Sequence, residues 1–175
     1  MSATHPQADL EAALRVLSLP TPGQQPADAT TSQVRIDTAR DPQAVESVAV
    51  ALAHRLKDVE AHVVVVWDDL DDCVLAHIVA RELGCTTVRA FQEEGLLFLD
   101  RELPGDGRVV VLSAVWNDDR RLHSLISLVQ AQRGQIVAAA AVLGSNPLRE
   151  VTPGSVPSVS VANPPMTDVV TVAGG

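Results

Sequence analysis

The chain has 175 residues, a formal net charge of −9, and 46% hydrophobic but only 2% aromatic residues. That length fits one domain with a single core. An acidic chain with few aromatics and no basic stripe argues against nucleic acid as a partner, and its sign of charge argues against anionic membrane surfaces. No apolar run reaches the ~18 residues that a membrane span needs. Met1 to Leu10 carries neither a basic start nor an apolar signal core. Cys73 and Cys85 are too few for a disulfide framework, so a cytoplasmic protein with reduced thiols is expected. Lys57 is the one lysine, so any lysine chemistry falls to it.

In chain order, Leu10, Ala13, Leu14 and Leu17 at helical spacing predict an appended N-terminal helix over 9–19. Pro20, Pro22, Gly23 and Pro26 begin a linker to Ser32, so residues 1–32 form a helix and linker ahead of the domain at 33–162. Val34 to Asp37 reads as a short strand. Asp41 as N-cap and Pro42 in the first turn open a helix to Lys57. Four consecutive valines make His62 to Trp67 a fully buried strand. Asp68, Asp69, Asp71 and Asp72 follow in an acidic loop. Cys73 to Leu83 reads as a helix ended by Gly84, and Thr86 to Ala90 as the next strand.

Gly95 to Leu99 reads as one arm of a small hairpin or hood. The turn Pro104-Gly105-Asp106-Gly107 leads into a strand from Arg108 to Leu112. A polar loop from Ser113 then enters a helix over 119–132, stopped by Gly134. Ile136 to Leu143 and Val156 to Val161 read as two further strands, and residues 163–175 form a weakly specified tail. Strands alternating with helices predict an α/β fold with a mainly parallel sheet flanked by helices. Ligands bind such sheets at the carboxyl ends of the strands. The site should therefore be built from 67–73 and 113–121.

This order resembles the type I phosphoribosyltransferases, nearest the orotate and adenine enzymes, over about residues 43–162. Arg108 to Leu122 stands where that family has its phosphoribosyl-diphosphate motif. Val63 to Gly84 stands where it has a strand, a pyrophosphate loop and a helix. The resemblance implies that an acid pair would hold ribose hydroxyls and that a glycine-rich loop would wrap the 5′-phosphate. Ser113-Ala114 replaces the acid pair. Trp116-Asn117-Asp118-Asp119-Arg120-Arg121 replaces the phosphate loop and contains no glycine, the residue that lets backbone amides close on an anion. Two like charges 4 Å apart repel by about 4 kcal/mol at an effective dielectric of 20. The four aspartates of the other loop would thus oppose a diphosphate by several kcal/mol unless Mg²⁺ intervened. Arg89 stands near a basic position of the family, but one arginine does not rebuild the site.

Candidate ligand residues are therefore Asp68, Asp69, Asp71, Asp72, Arg89, Ser113, Trp116, Asn117, Asp118, Asp119, Arg120 and Arg121. The first four are also candidate metal ligands, because consecutive acids suit a hard cation. Each has a structural alternative. The acids equally favour a helix N-terminus, Asp118 or Asp119 equally caps a helix, and Trp116 equally covers the core. Trp67 ends a buried strand and is expected to pack. No downstream lysine exists to complete the D-x-D motif at Asp69 and Asp71. Ser113 lacks a glycine elbow, and Cys73 sits among acids that oppose a reactive thiolate.

Three functions remain. The first is a phosphoribosyltransferase-like protein that has lost catalysis, needs no cofactor, and binds a small ligand or a protein partner at its former active-site face. The second is a divergent Mg²⁺-dependent phosphoribosyltransferase. The third is a structural subunit, since the resemblance implies a homodimer.

Overall fold

The computed structural model describes residues 6–20, 34–150 and 156–163. The linker expected beyond Pro20 and the tail expected beyond Asn163 lie outside them. The elements are α1 (Pro6–Leu17), β1 (Ser18–Pro20), β2 (Val34–Ile36), α2 (Pro42–Leu56), β3 (Val63–Trp67), α3 (Leu70–Leu83), β4 (Thr86–Glu93), β5 (Leu96–Leu99), β6 (Arg108–Val115), α4 (Asp119–Ala131), β7 (Gln135–Leu143), α5 (Asn146–Glu150) and β8 (Ser158–Ala162). Six strands form one sheet in the order β5-β4-β3-β6-β7-β8. Every neighbour pair in it is parallel except β4 with β5. This confirms the α/β architecture.

The valine runs dictate the centre. Val63 to Val66 on β3 and Val109 to Val111 on β6 are fully buried, as strands covered on both faces require. Alternate side chains point to opposite faces, and the core divides accordingly. Val64, Val66, Val110, Leu112, Ala138 and Ala140 pack with residues of α1, α2 and α3. Val63, Val65, Val109, Val111, Ala139 and Ala141 pack with Leu122, Leu125 and Val129 of α4 and Leu148 of α5. The N-terminal helix belongs to this core, with Ala13 and Leu17 buried in the first cluster. Among the described residues no helix is long and apolar enough to cross a membrane.

From β3 the chain passes outward to β4 and β5, then crosses back to β6 on the other side of β3. α3 leaves the end of β3 on one face, and α4 leaves the end of β6 on the other. The strand order therefore switches between β3 and β6, where open α/β sheets form their ligand crevice.

Several boundaries differ from the sequence reading, four of them with a clear physical reason. α3 begins at Leu70 rather than Cys73, because Asp69 caps it and its carbonyl accepts from the Cys73 N–H at 2.9 Å. The acidic loop thus shrinks to Asp68-Asp69. β6 runs to Val115 rather than Leu112, because Ser113 and Val115 keep their register with Ala141 and Leu143 of β7. α1 stops at Leu17, since Ser18 to Pro20 instead pairs antiparallel with Val34 to Ile36. β4 extends to Glu93 to complete the hairpin with β5. The short α5 has no counterpart in the sequence reading.

Gly134 has a different reason for being glycine than the expected helix stop. Arg133 takes the left-handed conformation there, at φ 62°. A Cβ on Gly134 would stand 2.7 Å from Val129 Cγ1 and 3.0 Å from Leu103 Cδ1. Gly134→Ala is expected to cost about 1–3 kcal/mol by overpacking, read as a lower urea midpoint at unchanged slope. A midpoint equal to the parent's would show that the neighbours yield freely.

Candidate functional site

A cleft of about 230 Å³ opens at the β3/β6 switch. Arg35 of β2, Asp69, Asp71 and Asp72 around the start of α3, Ser113 of β6, and Asn117 and Arg121 before and within α4 line it. Residues of both expected segments, 67–73 and 113–121, line this cleft. Arg35 is an addition.

The acidic residues do not share one task. Asp71 and Asp72 are each only 6% exposed, whereas the neighbouring Leu70 is 71% exposed. Asp71 Oδ1 accepts from the Thr38 backbone N–H at 2.8 Å and from its hydroxyl at 2.7 Å, and Oδ2 accepts from Arg35 at 3.3 Å. It staples the segment after β2 to α3. Asp72 Oδ1 accepts from the Ala114 N–H at 2.6 Å and from the Ser113 hydroxyl at 3.1 Å. The pairing of β3 with β6 ends at Val65 and Val111, and Asp72 takes the Ala114 N–H beyond that point.

Asp69 caps α3, its Oδ1 accepting from the Asp71 N–H at 3.2 Å. Asp118 caps α4, its Oδ1 accepting from the Arg120 N–H at 2.8 Å. Asp68 turns away to Arg89 at 3.0 Å, and Arg89 also donates to Asp100 at 3.1 Å. Burial works to raise the Asp100 carboxyl, but the hydrogen bonds from Arg89 and Arg101 together outweigh it and hold it below its ordinary value. Arg89 thus ties the β4–β5 hairpin to the end of β3.

Trp116 is 2% exposed, and its Nε1 donates to the Ala140 carbonyl at 2.9 Å. It packs in the core, as its structural alternative held. Trp67 is nearly buried too. Its ring carries the Arg121 guanidinium 5.2 Å from the centroid, and its Nε1 donates to the Arg121 carbonyl at 3.3 Å. Asp119 and Arg120 are exposed in the first turn of α4 and line no part of the cleft. Burial, with the Asp68 charge, pushes the Cys73 thiol up, the direction expected of an unreactive cysteine.

The carboxylates do not gather around one point as an all-protein metal centre would have them. Asp68 faces Arg89, Asp69 caps a helix, Asp71 is spent on Thr38 and Arg35, and Asp72 is spent on β6. Among the described residues, no three His, Cys, Asp or Glu groups stand together. Arg35 and Thr38, which hold Asp71, and Asp100, which holds Arg89, carried no motif or spacing that marked them.

No family model matches the chain. It is 28% identical over 104 residues to the orotate phosphoribosyltransferase of Caldicellulosiruptor bescii, a match covering 58% of this chain and 54% of that enzyme. The chain thus spans about half the length of that curated relative. The adenine phosphoribosyltransferase of Thermoanaerobacter pseudethanolicus superposes with a TM-score of 0.68 at 14% identity, over 88% of this chain and 99% of that one. The orotate enzyme of Aeropyrum pernix gives 0.68 at 20% identity, over 88% and 92%. The adenine enzyme of Trypanosoma brucei, solved with AMP, pyrophosphate and ribose-5-phosphate, gives 0.66 at 16% identity, over 93% and 82%. The chain has the type I phosphoribosyltransferase fold. Its cleft lies at the strand switch of that fold, between the starts of α3 and α4.

Burial pushes the Asp72 carboxyl up to about 6, and the Asp69 charge adds to the rise against the Ala114 N–H, the Ser113 hydroxyl and Arg121. Its unfolded value is about 3.9. Between the two values the folded chain holds more protons, so the stability that protonated Asp72 provides is lost as pH rises through that window. The full cost, at most about 3 kcal/mol, stands above pH 6. Asp72→Asn retains an acceptor for the Ala114 N–H without the charge. It is expected to melt several degrees above the parent at pH 8, with the gap closing near pH 4. Circular-dichroism melts across pH test this, and a gap independent of pH would contradict it.

Proposed function

We propose that this protein has the phosphoribosyltransferase fold without phosphoribosyl-diphosphate chemistry, and that its cleft serves as a binding site for a different ligand. One observation carries the reading. Three backbone N–H groups beside the cleft are already donated to the chain's own carboxylates. The Asp71 N–H goes to Asp69, the Arg120 N–H to Asp118, and the Ala114 N–H to Asp72.

A phosphate entering at the start of α4 would meet Asp118 on the amide it needs. A diphosphate at the start of α3 would meet Asp69 and Asp72. Each close pair of like charges costs about 4 kcal/mol at an effective dielectric of 20, and a displaced cap costs a further ~1 kcal/mol. The nearby cations do not offset this: Arg89 is held by Asp68 and Asp100 and lines no part of the cleft, Arg35 is paired with Asp71, and Arg121 faces several carboxylates alone. The single lysine, Lys57, lies in the 3₁₀ turn after α2 and lines no part of the cleft.

A second reading, a divergent phosphoribosyltransferase, is favoured by the 28% identity to the Caldicellulosiruptor bescii orotate enzyme. Calorimetric titration with phosphoribosyl diphosphate and Mg²⁺, with and without orotate or adenine, separates the two. The expected result is a Kd weaker than about 1 mM, corresponding to less than about 4 kcal/mol of binding free energy. A micromolar Kd would sink the non-catalytic reading and establish the enzyme.

A further inference from the structure

Most charges around the cleft are consumed by partners within the chain. Arg35 and Asp71 pair with one another, and Asp118 caps α4. Arg35 gives Asp71 a single contact at 3.3 Å and its side chain is otherwise two-thirds exposed to solvent, and three further charged groups of the cleft are left with capacity to spare. The Arg121 guanidinium lies over the Trp67 ring, 5.2 Å from its centroid, and makes no hydrogen bond or ion pair with any described residue. An indole face holds a guanidinium in place without neutralising it. Asp69 uses only Oδ1 in its cap. Asp72 is 6% exposed, and both of its hydrogen bonds fall on Oδ1. Among the described residues no buried side-chain oxygen or nitrogen lacks a partner. The unpaired Asp72 Oδ2 therefore reaches the cleft that Asp72 lines.

The spare set is thus one guanidinium and two carboxylates, all lining one cleft of about 230 Å³. An anion alone would meet Arg121 but also two like charges. A cation alone would leave Arg121 unpaired beside it. A molecule carrying both signs satisfies all three, and such charge-assisted hydrogen bonds are the strong ones. Ile36 and Val115 also line the cleft and offer apolar wall to a short methylene chain.

We propose that the cleft binds a small amino-carboxylate, with its carboxylate on Arg121 and its ammonium between Asp69 and Asp72. The proposal deepens the reading above and rests on it. It assigns Arg121 and Asp72 as ligand contacts and leaves Arg120, one residue away and outside the cleft, without a role. Phosphate groups have no place in the arrangement. Its ammonium-binding half consists of the acids that oppose a diphosphate.

The test is a two-dimensional amide NMR titration of the full chain. The probes are glycine, 4-aminobutyrate and 6-aminohexanoate, which span a range of charge separations. Acetate and methylamine serve as single-charge controls, and phosphoribosyl diphosphate with Mg²⁺ is a separate arm. At least one amino-carboxylate is expected to shift the amides of Asp69 to Asp72 and of Asn117 to Arg121 saturably, while acetate and methylamine do not. Arg121→Gln and Asp72→Asn are each expected to weaken that binding about tenfold or more, with spectra still dispersed as in the parent. Arg120→Gln should leave it unchanged. The proposal is overturned if no amino-carboxylate shifts these amides, if acetate or methylamine does so equally, or if Arg121→Gln binds as the parent does. Saturable shifts with phosphoribosyl diphosphate would overturn the reading beneath it. Silence in every arm would overturn the amino-carboxylate proposal alone.

Discussion

The hydrogen bond from the Ala114 N–H to Asp72, at 2.6 Å, holds the switch point of the sheet together. β3 and β6 are the two central strands, and they part after Val65 and Val111. Beyond that point neither strand can satisfy the other's amides. A buried amide without a partner costs about 1–3 kcal/mol, so something must fill the gap. Asp72 does so from the first turn of α3, where the helix N-terminus also favours its charge. One carboxylate thus sets how α3 meets β6 and closes the inner end of the cleft. Asp71 performs the matching task on the other side by taking both donors of Thr38. Two adjacent acids, pointing to different partners, position β2, α3 and β6 around one cleft.

The same arrangement explains why burial and composition disagree in this turn. A solvated acidic loop is the natural reading of five residues of which four are aspartate. The folded chain exposes the leucine among them and buries two of the acids. Their partners lie 33 and 42 residues away in sequence, so neither helical nor strand periodicity carries the information. The elements whose forces are local were legible. The valine strands, the Asp41-Pro42 helix start and the left-handed Gly84 at the end of α3 follow from side-chain shape, capping and backbone freedom. The extension of β6 through Ser113 was not legible. It depends on a neighbouring strand continuing beside it, and the small polar Ser113 alone resembles the start of a loop.

Site legibility divided along the same line. The two segments that build the cleft were identified from topology alone, because the carboxyl ends of adjacent strands must meet. The roles within them were not. Asp68 and Arg89, grouped with the cleft by sequence, instead join Asp100 on the hairpin side. Arg121 was one of several charges at a helix start. Only the Trp67 ring beneath it, 54 residues away along the chain, distinguishes it from Arg120.

The glycine-free loops and the buried acids are two sides of one substitution. A loop that wraps phosphate with bare amides leaves those amides to water until the ligand arrives. Here one amide at each helix start is closed by a carboxylate of the chain itself, Asp69 for α3 and Asp118 for α4. The change carries a cost, because a charge that serves as a cap must be held near the surface or desolvated. Asp69 and Asp118 take the first course and remain exposed, whereas Asp72 takes the second and is pushed up to about 6 mainly by its burial. The anion that another member of this fold takes from solution is supplied by side chains. The cleft that remains is lined by the charges those contacts leave over, Arg121 and the free oxygens of Asp69 and Asp72. Its selectivity then follows from charge. On the proposed reading, a cation on the ligand favours entry and each added phosphate opposes it.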